Sequence, residues 1–268
     1  MKKLEHLSNI YQEYDSYIID LWGVMHDGFN LNQEAIEVVD NLSKNNKKIT
    51  FLSNAPRPNA SVVKFLKKLN MEEKYLNFIL TSGEAALNSL REKKFGEKFF
   101  HLGPERDKSL FKGQEKNATT LKNAEFILCT GLFDDEKNNL EYYSNLLQGS
   151  EKKRLVCTNP DLTVYKGNIK EHCAGAVAEV FKSLGGQVTY FGKPYVEIYD
   201  LCVNKNERTF IIGDNLNTDI KGANNMKIDS LFILDGVHRS EYSDENKLIE
   251  LINKYNVYSK YYQNKLCW

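Results

Sequence analysis

Short runs of apolar, β-branched and aromatic residues alternate with longer segments whose apolar residues recur every three or four positions. The short runs predict strands over Ser16–Asp20, Lys48–Ser53, Phe78–Leu80, Lys98–Leu102, Glu125–Thr130, Arg154–Thr158, Gln187–Phe191, Thr209–Gly213 and Ser230–Leu234. Between them, Ala35, Ile36, Val39 and Leu42, and then Val62, Val63, Leu66 and Leu69, fall on helical faces. Strand–helix alternation of this kind predicts an α/β fold, with parallel sheets covered by helices on both faces. So many strands exceed what one small doubly wound domain needs, which points to two sheets, one inserted into the other. Asp134-Asp135-Glu136 is expected to open a helix, where acids suit the macrodipole. The charge runs Lys44–Lys48 and Glu151–Arg154 fall at expected helix ends and turns and read as solvated caps.

Composition narrows the function classes. The 268 residues carry 36 Lys+Arg and 36 Asp+Glu, so the chain lacks the basic surplus of a nucleic-acid or anionic-membrane binder. Five cysteines, an odd number with no Cys-x-x-Cys spacing, argue against a disulfide framework or zinc site and fit a reducing compartment. No apolar run approaches the ~20 residues that cross a bilayer. The opening Met1-Lys2-Lys3-Leu4-Glu5-His6 has no signal-peptide apolar region. A cytoplasmic protein with neither nucleic-acid nor membrane partners is expected.

In open α/β sheets, ligands bind at the carboxyl ends of strands. Four such ends carry polar residues. Asp20 follows Tyr17-Ile18-Ile19 and precedes Leu21-Trp22-Gly23-Val24; the glycine would let backbone N–H groups approach a ligand, although a turn-capping Asp fits the same segment. Ser53 and Asn54 end the second strand and could hold an oxyanion, or form a plain turn pair. Lys193, in Gly192-Lys193-Pro194, offers a point charge suited to phosphate, unless it is solvated. Gly213-Asp214-Asn215 with Thr218-Asp219-Ile220 places two carboxylates five residues apart where a strand enters a helix. Hard oxygen donors of that type suit Mg²⁺. Asp219 also fits as an acid in a first helical turn, whereas an ionised Asp214 would need a partner. Together, two carboxylates, a hydroxyl and an ammonium suit a small phosphorylated substrate, with Asp20 as nucleophile and Mg²⁺ between the acids.

These motifs, in this order, resemble the haloacid dehalogenase superfamily. Thr158-Asn159-Pro160-Asp161 and Gly213-Asp214-Asn215 are similar to its class IIA branch of sugar-phosphate, nitrophenyl-phosphate and pyridoxal-phosphate phosphatases. The resemblance runs from about Tyr17 to about Asp235. It implies a Rossmann-like core over residues 1–88 and 188–268 and an inserted α/β cap over 89–187 that sets specificity. It further implies Asp20 as nucleophile and metal ligand, Asp214 as second ligand and Asp219 as a nearby or water-mediated one. The Trp22 main-chain carbonyl would take the third protein-ligand position, and Ser53 and Lys193 would hold the phosphoryl group. Oligomeric state stays open, since caps of that branch often take part in dimers.

One departure stands out. The branch places a second Asp two residues after the nucleophile, as proton donor and then base; here that residue is Trp22. An indole donates only its ring N–H and cannot serve as the acid. His26, Asp27 or Asp161 could substitute; the leaving group could need no acid; or the chain could be a non-phosphatase hydrolase or a non-catalytic phosphometabolite-binding protein. The stretch Asp20–Gly28 also looks like a class IIA subgroup that carries Trp here. Among the remaining candidates, Arg57 either reaches an anionic substrate or is solvated. Asn159 and Asp161 either face the substrate or form an Asn-Pro-Asp turn, and Asn215 is placed with the substrate-binding residues.

Overall fold

The structure is a computed structural model that describes residues 1–268. All nine expected strands form, within a residue or so of their expected ends, and four short ones join them. Seven make a larger, wholly parallel sheet: β1 (Lys2–Lys3), β13 (Tyr261–Gln263), β12 (Asp229–Ile233), β11 (Thr209–Gly213), β2 (Ser16–Ile19), β3 (Lys48–Ser53) and β4 (Ile79–Thr81), in that spatial order. A smaller parallel sheet has the order β10 (Gln187–Tyr190), β7 (Arg154–Cys157), β6 (Phe126–Cys129), β5 (Phe99–Leu102). An antiparallel hairpin, β8 (Thr163–Lys166) and β9 (Ile169–His172), stands apart from both sheets. The architecture is a parallel-sheet α/β core with an additional sheet-and-helix cap region.

The central strands are apolar on both faces, as buried parallel strands must be. Tyr17, Ile19, Phe51, Phe210 and Ile212 enter one cluster with Val38, Val39, Leu42 and Leu66. Their alternates Ile18, Leu52 and Ile211 pack the other way, against Ile198, Tyr199 and Ala223. The helix Gln33–Lys44 shows how the pattern becomes structure. The Asn32 side chain caps it through Ala35 N–H, and the stripe Ala35, Val38, Val39, Leu42 is fully buried. Each of the larger aliphatics there stabilises the fold by about 1.5–3 kcal/mol through burial. In the smaller sheet, Ile127, Cys129, Leu155 and Cys157 face Tyr143, Leu147, Val177 and Phe181.

Two expectations are corrected. Asp134-Asp135-Glu136 does not start a helix; the helix begins at Leu140, where Asn139 accepts the Tyr142 N–H as N-cap, and Asp134 pairs instead with Arg106 at 2.9 Å. The expected junction at 187/188 cuts through β10, whose residues pair in register with Arg154–Cys157, so the smaller sheet runs on to Tyr190. No helix is long and apolar enough to cross a membrane.

Candidate active site

The carboxyl ends of both sheets open onto one cleft of about 920 Å³. Asp20 follows β2, Ser53 ends β3, and Asp214 and Asn215 follow β11. From the smaller sheet come Asp161, four residues beyond β7, and Lys193, three beyond β10; all six line the cleft. The expected strand-end residues therefore meet, though Lys193 arrives from the smaller sheet.

At the floor lies a buried charge cluster. Lys193 Nζ donates to Asp20 Oδ1 and Asp219 Oδ1, both at 2.6 Å. Carboxylate oxygens of Asp20, Asp214 and Asp219 lie within 4.8 Å of one another. Asp214 Oδ2 accepts the Val237 N–H at 2.7 Å, and Asp219 Oδ2 the Asn215 N–H at 3.1 Å. Burial pushes Asp20 up, against the pull of Lys193, and pushes Asp214 well up with Asp20 and Asp219 adding to the rise. Burial works against the Lys193 charge, but Asp20 and Asp219 outweigh it and hold the ammonium protonated. Three enclosed carboxylates face one ammonium, so two negative charges go uncompensated when all three ionise. An all-oxygen donor set with that deficit fits a hard divalent cation.

Two glycines make the crowding sterically feasible. A Cβ on Gly23, which has φ +91°, would fall 2.1 Å from Asp214 Oδ2. One on Gly213 would fall 2.1 Å from the Asp219 carboxyl carbon. Gly23 was expected to let backbone N–H groups approach a ligand; its own N–H donates to the His26 carbonyl at 2.8 Å, and the glycine supplies room for Asp214.

Asn54 ties the two sheets together. Its Oδ1 accepts the Lys193 N–H at 2.8 Å, and its Nδ2 donates to the Lys193 carbonyl at 3.1 Å and to Asp161 Oδ1 at 3.3 Å. Asn215 Nδ2 reaches the same Asp161 oxygen at 3.2 Å. Asn159 accepts the Asp161 N–H at 3.1 Å and so shapes the turn that presents this acid. Burial pushes the Asp161 carboxyl up to about 6, with Lys193 opposing. Ser53 is buried at the cleft wall and accepts the Ala55 N–H at 3.2 Å. Arg57 is half-buried and lines the cleft. It pairs with Asp107 at 3.4 Å, and burial pushes that Asp up to about 6 despite the guanidinium.

Trp22 is committed elsewhere than to acid–base chemistry. Its indole N–H donates to the Tyr165 carbonyl at 2.6 Å. The ring stacks parallel to Phe65, with centroids 6.3 Å apart, and meets His26 edge-on at 5.0 Å. His26 and Asp27, two of the three expected substitute acids, are also engaged. Burial holds His26 down at about 4, hence neutral, and its Nδ1 accepts the Gly28 N–H at 3.1 Å. Asp27 is exposed; burial still pushes its carboxyl up, but its Oδ1 accepts the Phe29 and Asn30 N–H groups, and hydrogen bonds together hold it below the usual carboxylate range.

Residues 17–115 match the haloacid dehalogenase-like hydrolase family model, and residues 190–252 match a second model of HAD-like hydrolases. A haloacid dehalogenase-like hydrolase from Brucella suis 1330 superposes with a TM-score of 0.86 at 30% identity, covering 98% of this chain and 99% of that one. The chain belongs to the haloacid dehalogenase-like hydrolases. The acid sugar phosphatase of Staphylococcus haemolyticus is 27% identical across 84% of this chain and 87% of its own length. The p-nitrophenyl phosphatase from Archaeoglobus fulgidus, 22% identical, shares the fold with a TM-score of 0.71 over 94% of this chain and 96% of its own.

In this haloacid dehalogenase-like hydrolase, sequence reasoning missed the β8–β9 hairpin, although Val164, Tyr165 and Ile169 about the two-residue turn Gly167-Asn168 signal one. It is pinned at several points. Tyr165 stacks under Arg239, 4.3 Å from guanidinium to ring centroid, and its hydroxyl lies 2.9 Å from Ser240 Oγ. Arg239 also donates to the Gly167 carbonyl at 2.8 Å. Trp22→Phe would keep an aromatic ring beside Phe65 and delete the N–H donor together with part of the indole ring. We expect about 1 kcal/mol less stability, with amide exchange faster by several-fold in residues 163–172 and unchanged in the central strands. Unchanged exchange in the hairpin would remove the indole N–H as an anchor.

Proposed function

We propose that this protein is a Mg²⁺-dependent phosphohydrolase of a small phosphorylated metabolite, a sugar phosphate or similar, working through an aspartyl-phosphate. The observation that carries the reading is the enclosed cluster of Asp20, Asp214, Asp219 and Lys193 at the converging strand ends. Lys193 engages Asp20 Oδ1 and leaves Oδ2 to attack phosphorus. The Lys193 ammonium and the Ser53 hydroxyl would hold the phosphoryl oxygens, and Asn54 fixes the lysine through its own backbone. Asp20, Asp214, the Trp22 main-chain carbonyl and, directly or through water, Asp219 would hold Mg²⁺, which when bound neutralises charge on the transferring group. We place the cap over about residues 89–190, with Asn159, Asp161 and the hairpin facing the substrate.

Purified protein given a panel of sugar phosphates and an aryl phosphate should release inorganic phosphate. A chelator should lower that rate by at least about 100-fold and added Mg²⁺ should restore it, since charge neutralisation of this kind contributes several kcal/mol to the transition state. Calorimetric binding of phosphorylated ligands with no turnover would instead identify a non-catalytic binding protein, and chelator-insensitive turnover would remove the metal from the reading.

A further inference from the structure

We infer that Asp161, carried by the smaller sheet, is the proton donor to the leaving group and then the base for the hydrolytic water. The inference rests on the phosphohydrolase reading and completes it. The position two residues beyond Asp20 holds an indole whose one polar hydrogen is bound to Tyr165. His26 turns its Nδ1 to the Gly28 N–H, and Asp27 caps an exposed turn. All three line the cleft, but Asp161 is the one held by the charge cluster's own neighbours, Asn54, which also binds the Lys193 backbone, and Asn215, which follows Asp214. Both amide donors that hold it, Asn54 Nδ2 and Asn215 Nδ2, bind the same oxygen, Oδ1. Amide N–H groups can only donate, so Oδ1 acts as acceptor and the hydrogen of a protonated carboxyl belongs on Oδ2, to which neither amide donates; the Thr218 hydroxyl also lies beside this carboxyl. The loop is built to hold that pose. Asn159 accepts the Asp161 N–H, Gly175 N–H donates to the Asp161 carbonyl at 3.1 Å, and a Cβ on Gly175 would come within 2.5 Å of that carbonyl oxygen.

In the first step Asp20 forms a bond to phosphorus, the bond from phosphorus to the ester oxygen breaks, and the Asp161 proton passes to that oxygen, releasing a neutral alcohol. In the second, water attacks the phosphorus of the aspartyl-phosphate and gives a proton to the Asp161 carboxylate. Inorganic phosphate leaves and the Asp20 carboxylate is regenerated. Trp22 is a positioning residue here, because it anchors the hairpin that begins two residues after Asp161.

The test is rapid-quench kinetics of wild type, Asp161→Asn and Asp161→Glu on two esters, dinitrophenyl phosphate and an alkyl phosphate, with Mg²⁺ present. General acid help contributes about 10²–10⁴ in rate and is needed only by a poor leaving group. Asp161→Asn should keep its first-turnover burst of dinitrophenol within about fivefold of wild type, then stall as phosphoenzyme, and should lose about 10²–10⁴ in the first turnover of the alkyl ester. Asp161→Glu, which retains an acid, should recover part of the alkyl-ester rate. Equal losses on both esters, or no loss on the alkyl ester, overturn the assignment while leaving the phosphohydrolase intact. Absence of turnover by the wild-type protein on either ester overturns the phosphohydrolase reading and the assignment with it.

Discussion

Asp20→Asn is expected to lower phosphate release by at least about 10³-fold on every substrate, good or poor leaving group alike, because the nucleophile itself is gone. The substitution is nearly isosteric, and an amide oxygen still accepts from Lys193 Nζ in place of Oδ1. Stability should move differently from activity. Burial already makes ionisation of Asp20 unfavourable, so its folded pKa is raised and its contribution weakens the fold progressively as pH rises from the unfolded value through the folded one. Replacing it by a neutral group relieves repulsion with Asp214 and Asp219 at a modest loss of attraction to Lys193. The metal-free variant should thus unfold at or above the wild-type temperature, and the stabilisation that added Mg²⁺ produces should shrink. Calorimetric scans with and without Mg²⁺, run beside phosphate release, check both halves. Undiminished turnover would take Asp20 out of the mechanism.

How much of this was open to sequence reading follows from which forces are local. The nine strands are legible because each is a short apolar run between turn residues, and because a strand buried on both faces needs no partner to declare itself. Residues 20, 53 and 214 are legible as a site because parallel strands all end on one edge of the sheet, so three polar strand ends must be neighbours. Lys193 is legible as a candidate, but its strand is not assignable from sequence. β10 carries the same kind of apolar run whichever sheet it joins, and only its register with Arg154–Cys157 settles the matter. The β8–β9 hairpin has a local signal, the Gly167-Asn168 turn between β-prone residues, but its docking is not legible. Thr163–His172 is only half-buried, and it is held by hydrogen bonds and a cation–π contact to residues more than 70 positions away. The same contacts give Trp22 its place, which no local pattern could have shown. Asp134-Asp135-Glu136 failed as a helix start because acids near an N-terminus are a weak bias, whereas Asn139 supplies a side-chain oxygen to an unpaired N–H.

Lys193→Met carries the second large effect, and it separates chemistry from charge balance. The side chain is buried, its volume is close to that of lysine, and the ammonium is the only cation bonded to Asp20 and Asp219. Breaking a buried ion pair from one side costs about 3–5 kcal/mol, because the remaining charges lose their partner. At roughly 2–4 °C per kcal/mol for a chain of this size, the metal-free variant should unfold about 10 °C below wild type. The sign follows from linkage. Asp20 and Asp219 raise the folded-state pKa of Lys193 well above 10.5, so its stabilisation is complete at every pH below the unfolded value and fades only as pH rises through the folded one. The deficit should therefore be present throughout the neutral range. Added Mg²⁺ should recover more stability in the variant than in wild type, because a divalent cation can offset the carboxylates that the ammonium leaves behind. Turnover should not recover with it. A cation between the acids replaces the charge balance but not the donor on the phosphoryl oxygen, so phosphate release should stay down by about 10²–10³-fold even at saturating Mg²⁺. A variant that regains both its unfolding temperature and its turnover with Mg²⁺ would reduce Lys193 to a counter-ion of the acid cluster and remove it from phosphoryl binding.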